Sequence, residues 1–444
     1  MSDLTSNLNR LSVPETPRPN ALRRLFAHPH LSQYRRLATL VIVANLLYLA
    51  MGLHDGIFWT HKGPALAQLS NLAVANLTFA ILIRQQYVIN FLFWAATRVP
   101  TSWPLSIRWT LGKVFHFGGL HSGGATMGSL WVAFFCGAAL WELSNDSPRV
   151  SIELGAVSAA LVALLIVMLV TALSPLRAKF HNMFERVHRF GGWAALALFW
   201  AQSLLFIRGQ GVSTFETPAF WALCMITFSI ALPWLRLKKV PVEIVKPSDH
   251  AVAVRFNYGD DAFPGSSNAI SRNPLLEWHS FASIPAPGER GYRLIISRAG
   301  DWTGKFIDDC PSHVWVKGIT TSGVARIEVL FKRVVYVATG SGIGPVLPHL
   351  LAQQLPIHLI WATRSPRKTY GDAIVDEILR ACPDAHIWDT DSHGKPDLAA
   401  LSLQACRSFD AEAVICISNQ KLTRHVVAEM ERRGIPAFGA IWDS

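Results

Sequence analysis

The sequence predicts a multi-domain chain: an all-α six-helix transmembrane bundle, then an antiparallel β-barrel, then an α/β domain on a parallel sheet. Three observations carry this. The first half holds six apolar stretches near the length of about 20 residues that a spanning helix needs. After Pro241 the texture changes to short β-rich runs (VEIVK, AVAVRFNY, YRLIISR, HVWVKGI) separated by turn residues. From about residue 333, apolar strands (VVYVATG, IHLIWATR, AVICISN) alternate with helical stretches, as parallel strands with crossover helices do.

Composition agrees. Of the 444 residues, 51% are hydrophobic and only 16% charged, which suits a chain about half embedded in a membrane. The net charge of +11 does not gather into one stripe. Basic residues sit at the ends of apolar segments, where anionic headgroups meet them, so membrane lipid is the expected partner and nucleic acid is not.

Residues 1–36 read as a basic arm (Arg10, Arg18, Arg23, Arg24, Arg35, Arg36) with Pro14, Pro17 and Pro19 and no cleavable signal. The bundle, 37–240, has spans expected at 37–54, 65–84, 108–141, 150–174, 188–207 and 217–236. The third is too long for one straight span and is expected to begin as an interfacial helix. Residues 86–99 read as a short amphipathic or re-entrant element. Lys and Arg crowd the arm, the 84–113 region, the 175–189 loop and the 236–246 exit, whereas the alternate loops carry only Lys62, Arg149 and Arg208. That bias predicts an integral, multi-pass protein of a plasma or inner membrane, with both termini and the hydrophilic half cytoplasmic. The β-barrel domain is assigned to 241–330 and the α/β domain to 331–444. Six cysteines (Cys136, Cys224, Cys310, Cys382, Cys406, Cys416) show no CxxC spacing, which predicts unpaired thiols in a reducing compartment.

The strand Val334–Thr339 runs into Gly340, Ser341, Gly342, Ile343, Gly344 and Pro345. Glycines let backbone N–H groups approach a pyrophosphate, a helix N-terminus attracts its charge, and proline suits a first helical turn. A glycine triplet alone is weak; here it lies between a strand and a helix, which is the context a dinucleotide site requires. The spacing is G-x-G-x-G-P rather than G-x-G-x-x-G. The next strand ends at Arg364, placed either to bind the 2′-phosphate of NADPH or to face solvent.

Glu277-Trp278-His279-Ser280-Phe281-Ala282 resembles the W-H-P-F-T segment of NADPH oxidases and ferric reductases, and Gly300-Asp301-Trp302-Thr303 resembles their G-D-W-T. Gly340–Pro345 and Trp361–Arg364 match their nicotinamide loop and following strand. The resemblance covers roughly 241–444 and implies a ferredoxin-reductase-like module, with FAD on the barrel domain and NAD(P)H on the α/β domain. It implies that Trp278, His279, Ser280, Phe281, Ala282 and Ser283 lie at the flavin. Ser280 and Ala282 replace the family's proline and threonine. Relatives carry a terminal aromatic that stacks on the flavin, for which Trp442 stands here, and a C-G-P segment, replaced by Cys416-Ile417-Ser418-Asn419. These give Trp442 and Cys416 as catalytic candidates.

The same families hold two stacked haems on paired histidines. By surrounding sequence, one expected histidine is Arg108, with His121 its partner; another helix keeps His188 and places Gln202 at the second position. Each haem has lost a ligand, and neither Arg nor Gln is a usual axial one. The pattern is similar to the TmpA-type transmembrane flavoproteins, related to ferric reductases but without their paired haem ligands. His116, His121, His181 and His188 remain as candidates for one haem or metal, for proton handling, or for interhelical packing. The resemblance therefore implies electron passage from NAD(P)H through FAD to a small-molecule acceptor at or in the membrane, without haem. Two alternatives stay open, a haem-containing ferric or oxygen reductase and a non-catalytic redox sensor.

Overall fold

The computed structural model describes residues 32–257, 262–285, 288 and 290–440. Its first part is helical: α1 (Gln33–His54), α2 (Leu66–Leu82), α3 (Gln86–Ala96), α4 (Leu105–Gly112), α5 (Gly118–Ser144), α6 (Ile152–Ala172), α7 (Ser174–Lys179), α8 (His181–Gln210) and α9 (Pro218–Leu235). Five helical stretches are long and apolar enough to cross a membrane, and six if α2 and α3, bent by 70°, count as one span. The chain is thus multi-pass in character.

Close helix approach organises the bundle. A side chain at Gly119 or Gly123 of α5 would run into the carbonyl oxygens of Tyr34 and Ala38 on α1. Beside this seam, Asn45 Oδ1 accepts from Asn76 Nδ2 (2.9 Å) and Trp131 Nε1 (2.8 Å), so the polar groups joining α1, α2 and α5 are satisfied away from water.

The third apolar stretch is not one rod. It breaks into α4, a 3₁₀ turn at Lys113–Phe117, and α5. Phe115 of the turn and Ile89 and Phe93 of α3 enter the hydrophobic core of the parallel sheet rather than facing lipid. Packing against that sheet is the physical reason for both the break and the bend.

A tight two-strand pair, β1 (Trp59–Thr60) and β2 (Gly63–Pro64), caps the α1–α2 connection. The barrel domain comprises β3 (Lys238–Pro241), β4 (Glu243–Val245), β5 (Ala251–Phe256), β6 (Ser266–Ser271), β7 (His279–Ala282), β8 (Tyr292–Ser297), α10 (Asp301–Asp309), β9 (His313–Val316) and β10 (Thr321–Ser322). Its strands form two antiparallel sheets, β10-β6-β9-β3 with β7 on β6, and β4-β5-β8. They enclose Val254, Phe256, Ile270, Leu294, Ile296 and Phe306.

The last domain runs β11 (Val334–Thr339), α11 (Ile343–Ala352), β12 (Ile357–Thr363), α12 (Pro366–Tyr370), α13 (Asp372–Ala381), β13 (His386–Asp389), α14 (Thr390–His393), α15 (Leu398–Ser408), β14 (Ala413–Ile417), α16 (Gln420–Arg432) and β15 (Ala437–Gly439). The sheet order is β13-β12-β11-β14-β15, all parallel. Strand order reverses between β11 and β14, the position where open α/β sheets leave a ligand crevice. Barrel plus doubly wound sheet is the ferredoxin-reductase-like architecture expected.

Bundle and module share specific ties. Arg108 of α4 is almost fully buried; its Nη1 and Nη2 donate to Glu412 Oε2 (2.7 Å) and Oε1 (3.1 Å). The same guanidinium donates to the carbonyls of Leu330 and Trp103, both at 2.8 Å. Asn90 of α3 reads the edge of β10, donating to Thr320 O (2.9 Å) and accepting from Ser322 N (2.8 Å). Inside the module, Glu328, His349 and Tyr336 form a buried triad (His349 Nδ1 to Glu328 Oε1, 2.5 Å; Tyr336 Oη to Glu328 Oε2, 3.0 Å) that joins the segment leaving the barrel to β11 and α11.

Candidate functional site

Two glycines shape the crevice between β11 and β14. Gly340 adopts φ +49°, and its carbonyl accepts from Trp361 Nε1 at 3.0 Å, which pins the turn to β12. Gly342 lies so close to the Ile417 carbonyl that a Cβ would collide with it. Across the crevice Thr339 Oγ1 and Ser418 Oγ are 2.6 Å apart, a hydroxyl pair joining the ends of the two strands. Ser341 is exposed, while Gly342, Ile343 and Gly344 are buried. The helix opens at Ile343, with Pro345 in its first turn, where the missing N–H has no helical partner to lose.

A cleft of about 930 Å³ extends from Thr339 and Gly340 over the end of β12. Its cations are Arg364, Lys368 and Lys395. Its acids are engaged: Asp391 accepts from Ser365 Oγ (2.9 Å), and Asp249 pairs with Lys246 (2.9 Å). Three cations against two acids leave the lining of the cleft net positive.

On the barrel side, β7 carries His279, whose ring stacks on Trp302 at 4.0 Å and 26°. Trp302 in turn stacks on Phe306 (5.1 Å) and lies 6.2 Å from Phe281. His279 Nε2 and Trp302 Nε1 are both buried without a partner among the described residues. Burial holds His279 below the ordinary imidazole range; Glu277 and Glu185 act against this, and His181 and Arg189 with it. Glu185, His181 and Arg189 belong to α8, so β7 faces one end of the bundle.

Thr303 closes the start of α10, its Oγ1 accepting from Ala299 N (2.9 Å) and Gly300 N (3.1 Å). Ser283 is fully buried, and its Oγ accepts from Asn268 Nδ2 at 2.9 Å. Ser280 is exposed and Ala282 half-buried. Trp278 donates to Pro274 O (2.8 Å) and carries Lys317 Nζ over its ring at 4.5 Å. The helix opened by the glycine turn, α11, packs on β7 and β8, which brings the two halves of the site together. The orphaned ring nitrogens fit a flavin nucleotide, and the glycine turn fits a dinucleotide pyrophosphate.

Cys416 lies elsewhere. It sits on the opposite sheet face among Val337, Val426 and Met430, fully buried. Burial pushes its thiol up to about 12, against the opposing hydrogen bond from Thr423. Ser418, two residues on, is the side chain at the crevice; a hydroxyl at a strand end opposite Thr339 is the signal that sequence reading missed. Trp442 falls outside the described residues.

The bundle histidines have different partners. His121 Nδ1 lies 2.8 Å from the Ala80 carbonyl, and His116 meets Phe115 and His188 meets Phe184 as tilted ring pairs, each at 4.3 Å. His181 is exposed, 3.3 Å from Glu185. Among the described residues no group of three or more His, Cys, Asp or Glu could hold a metal ion. Gln202 donates to Ser158 at 3.1 Å, joining α8 to α6.

A family model described as the C-terminal domain of adenylate-forming reductase 03009 matches residues 324–444. The chain is homologous to two curated proteins of Coprinopsis cinerea, adenylate-forming reductases 06235 and 03009, at 42% identity over 439 and 440 residues. These matches cover 97% of this chain and 42% of each relative, so the chain spans less than half the length of the curated relatives it matches. Among solved structures, a ferredoxin NADP+ reductase from Neisseria gonorrhoeae with bound FAD and NADP aligns over 46% of this chain and 98% of its own, at TM-score 0.36 and 13% identity. A ferredoxin-NADP+ reductase from Plasmodium falciparum aligns over 47% and 96%, at TM-score 0.37 and 10% identity. The strand order and connectivity of the two antiparallel sheets and the parallel sheet define the fold.

Proposed function

We propose that this chain is a membrane-embedded oxidoreductase that takes electrons from NAD(P)H through FAD and passes them to a small-molecule acceptor at or in the bundle. The observation that carries the reading is the shared helix α11. Its N-terminus forms the glycine turn of the crevice, and its body packs on the strand bearing His279. A nucleotide on the turn and a flavin on β7 would then meet across one helix.

The residues have separate tasks. Gly340 and Gly342 let the turn approach the pyrophosphate, and the start of α11 offers N–H groups to it. Arg364, Lys368 and Lys395 give the cleft a charge suited to a 2′-phosphate, which favours NADPH. Thr339 and Ser418 offer hydroxyls at the point where the nicotinamide enters the site. His279 and Trp302 present ring nitrogens to the flavin. FAD held there would supply the hydride-accepting and electron-releasing chemistry, with the residues above holding and orienting it. The relatives are named reductases, which supports a redox role; their adenylate-forming activity is not assigned to this chain. The clustering of Lys and Arg at the loops nearest the module supports a cytoplasmic module.

The test is the absorbance spectrum of detergent-purified protein before and after anaerobic NADPH, then NADH. A flavin spectrum bleached by NADPH supports the proposal. A Soret band would replace it with the haem-containing reading, and flavin that neither nucleotide reduces would replace it with a sensor.

A further inference from the structure

The barrel domain carries an apolar loop with no function in the nucleotide site. Pro274, Leu275 and Leu276 precede the flavin strand, and both leucines are more than half exposed. Adjacent exposed leucines on a water-facing domain are unfavourable unless something covers them. Their position indicates the cover. The Leu275 carbonyl accepts from Arg189 Nη1 of α8 at 3.4 Å, which holds the loop against the end of a membrane helix. Trp193 and Trp234, on α8 and α9, meet edge to face at 5.4 Å beside it, and exposed Phe190 and Leu235 continue the apolar surface. Aromatic side chains in this arrangement mark the border between hydrocarbon and headgroups.

A second observation is independent of the first. Lys317 lies between Trp278 (4.5 Å) and Trp234 (6.0 Å), its ammonium over both rings. Among the described residues it has no hydrogen bond or ion pair. Burial, with Arg189 adding repulsion, pulls this lysine down to about 8. Two neighbouring cations beside a bilayer border, Lys317 with no acid paired to it, suit a phosphate group.

We propose that the Pro274–Leu276 loop inserts into the bilayer surface and that Lys317 and Arg189 seat the headgroup of an anionic phospholipid there. The site rests on the reading of the bundle as membrane-spanning. It anchors the start of the flavin strand to the membrane, so the flavin edge of the module sits at the lipid surface, and a lipid-dissolved acceptor meets it there.

The test uses the FAD-loaded full chain in nanodiscs of phosphatidylcholine and phosphatidylserine, in a Cys310→Ser background that removes the one exposed thiol among the described residues. A nitroxide at Leu276→Cys is expected to collide more with oxygen than with a nickel chelate. It should match Ile166→Cys on the lipid-facing side of α6 and differ from Gln354→Cys on the α/β domain. Nickel-dominated collisions at Leu276 alone overturn the loop insertion; the same at Ile166 overturns the membrane reading with it. Native mass spectrometry supplies the second arm. Lys317→Gln is expected to lower retained phosphatidylserine relative to phosphatidylcholine about fivefold, the effect of one basic residue at a membrane surface. An unchanged ratio overturns the headgroup seat.

Discussion

Cutting the Arg108–Glu412 clamp tests whether bundle and α/β domain fold as one unit. Arg108 is 4% exposed and Glu412 22%, so the pair is largely withdrawn from water without being sealed from it. Removing one partner of a fully buried pair costs about 3–5 kcal/mol, because the other charge stays behind. The partial exposure of Glu412 and its remaining bond from Lys332 N (2.7 Å) place Arg108→Met at the low end, about 3 kcal/mol. Glu412→Gln keeps the shape and loses the charge, for about 2 kcal/mol. With both changed, the coupling in a double-mutant cycle should be about 2 kcal/mol.

The assay is urea unfolding of the detergent-solubilised chain followed by tryptophan fluorescence. The clamp should also be pH-dependent. Burial pushes the Glu412 carboxyl up, but Arg108 and the Lys332 N–H outweigh it and hold it below the ordinary value. A depressed carboxyl stabilises above its unfolded value and loses that contribution as pH falls through the folded one. Acid should thus erase the difference between wild type and Glu412→Gln. Coupling below about 0.5 kcal/mol, as for independent sites, would refute the clamp.

Other outcomes follow from the site. Gly342→Ala forces a methyl onto the Ile417 carbonyl, so stopped-flow flavin reduction by NADPH should slow by about tenfold or more while the flavin spectrum persists. Arg364→Ala should raise KM for NADPH about tenfold, the loss of one charge-assisted contact, with KM for NADH little changed; steady-state kinetics with both nucleotides decides this. Since burial lowers the folded His279 value, the neutral ring stabilises β7 fully above the unfolded imidazole value and progressively less as pH falls below it. Flavin retention measured by gel filtration should therefore drop on mild acidification, and His279→Gln should flatten that profile.

Much of this was legible along the chain. Glycines between a strand and a helix carry their own steric reason, and Gly340–Gly344 lies where the sequence placed it, at a strand end. Apolar length and periodicity distinguished the bundle from the two module domains, because burial in lipid, in a barrel and in a parallel sheet impose different patterns. Cys416 shows where linear reading stops. Its neighbourhood resembled a nicotinamide contact, but its thiol packs into the far-face core, and Ser418, just beyond the end of β14, is the side chain left at the crevice.

Arg108 shows the same limit over a longer range. Its place in the sequence marked a missing haem histidine, while its partner Glu412 stands 304 positions away and only the packed fold unites them. Local chemistry determined which segments span, which turn, and which can approach a phosphate. The tertiary structure decided which faces meet: α3 and the Phe115 turn on the sheet, and β7 against α8. Those contacts depend on close packing between distant segments, which no local pattern encodes.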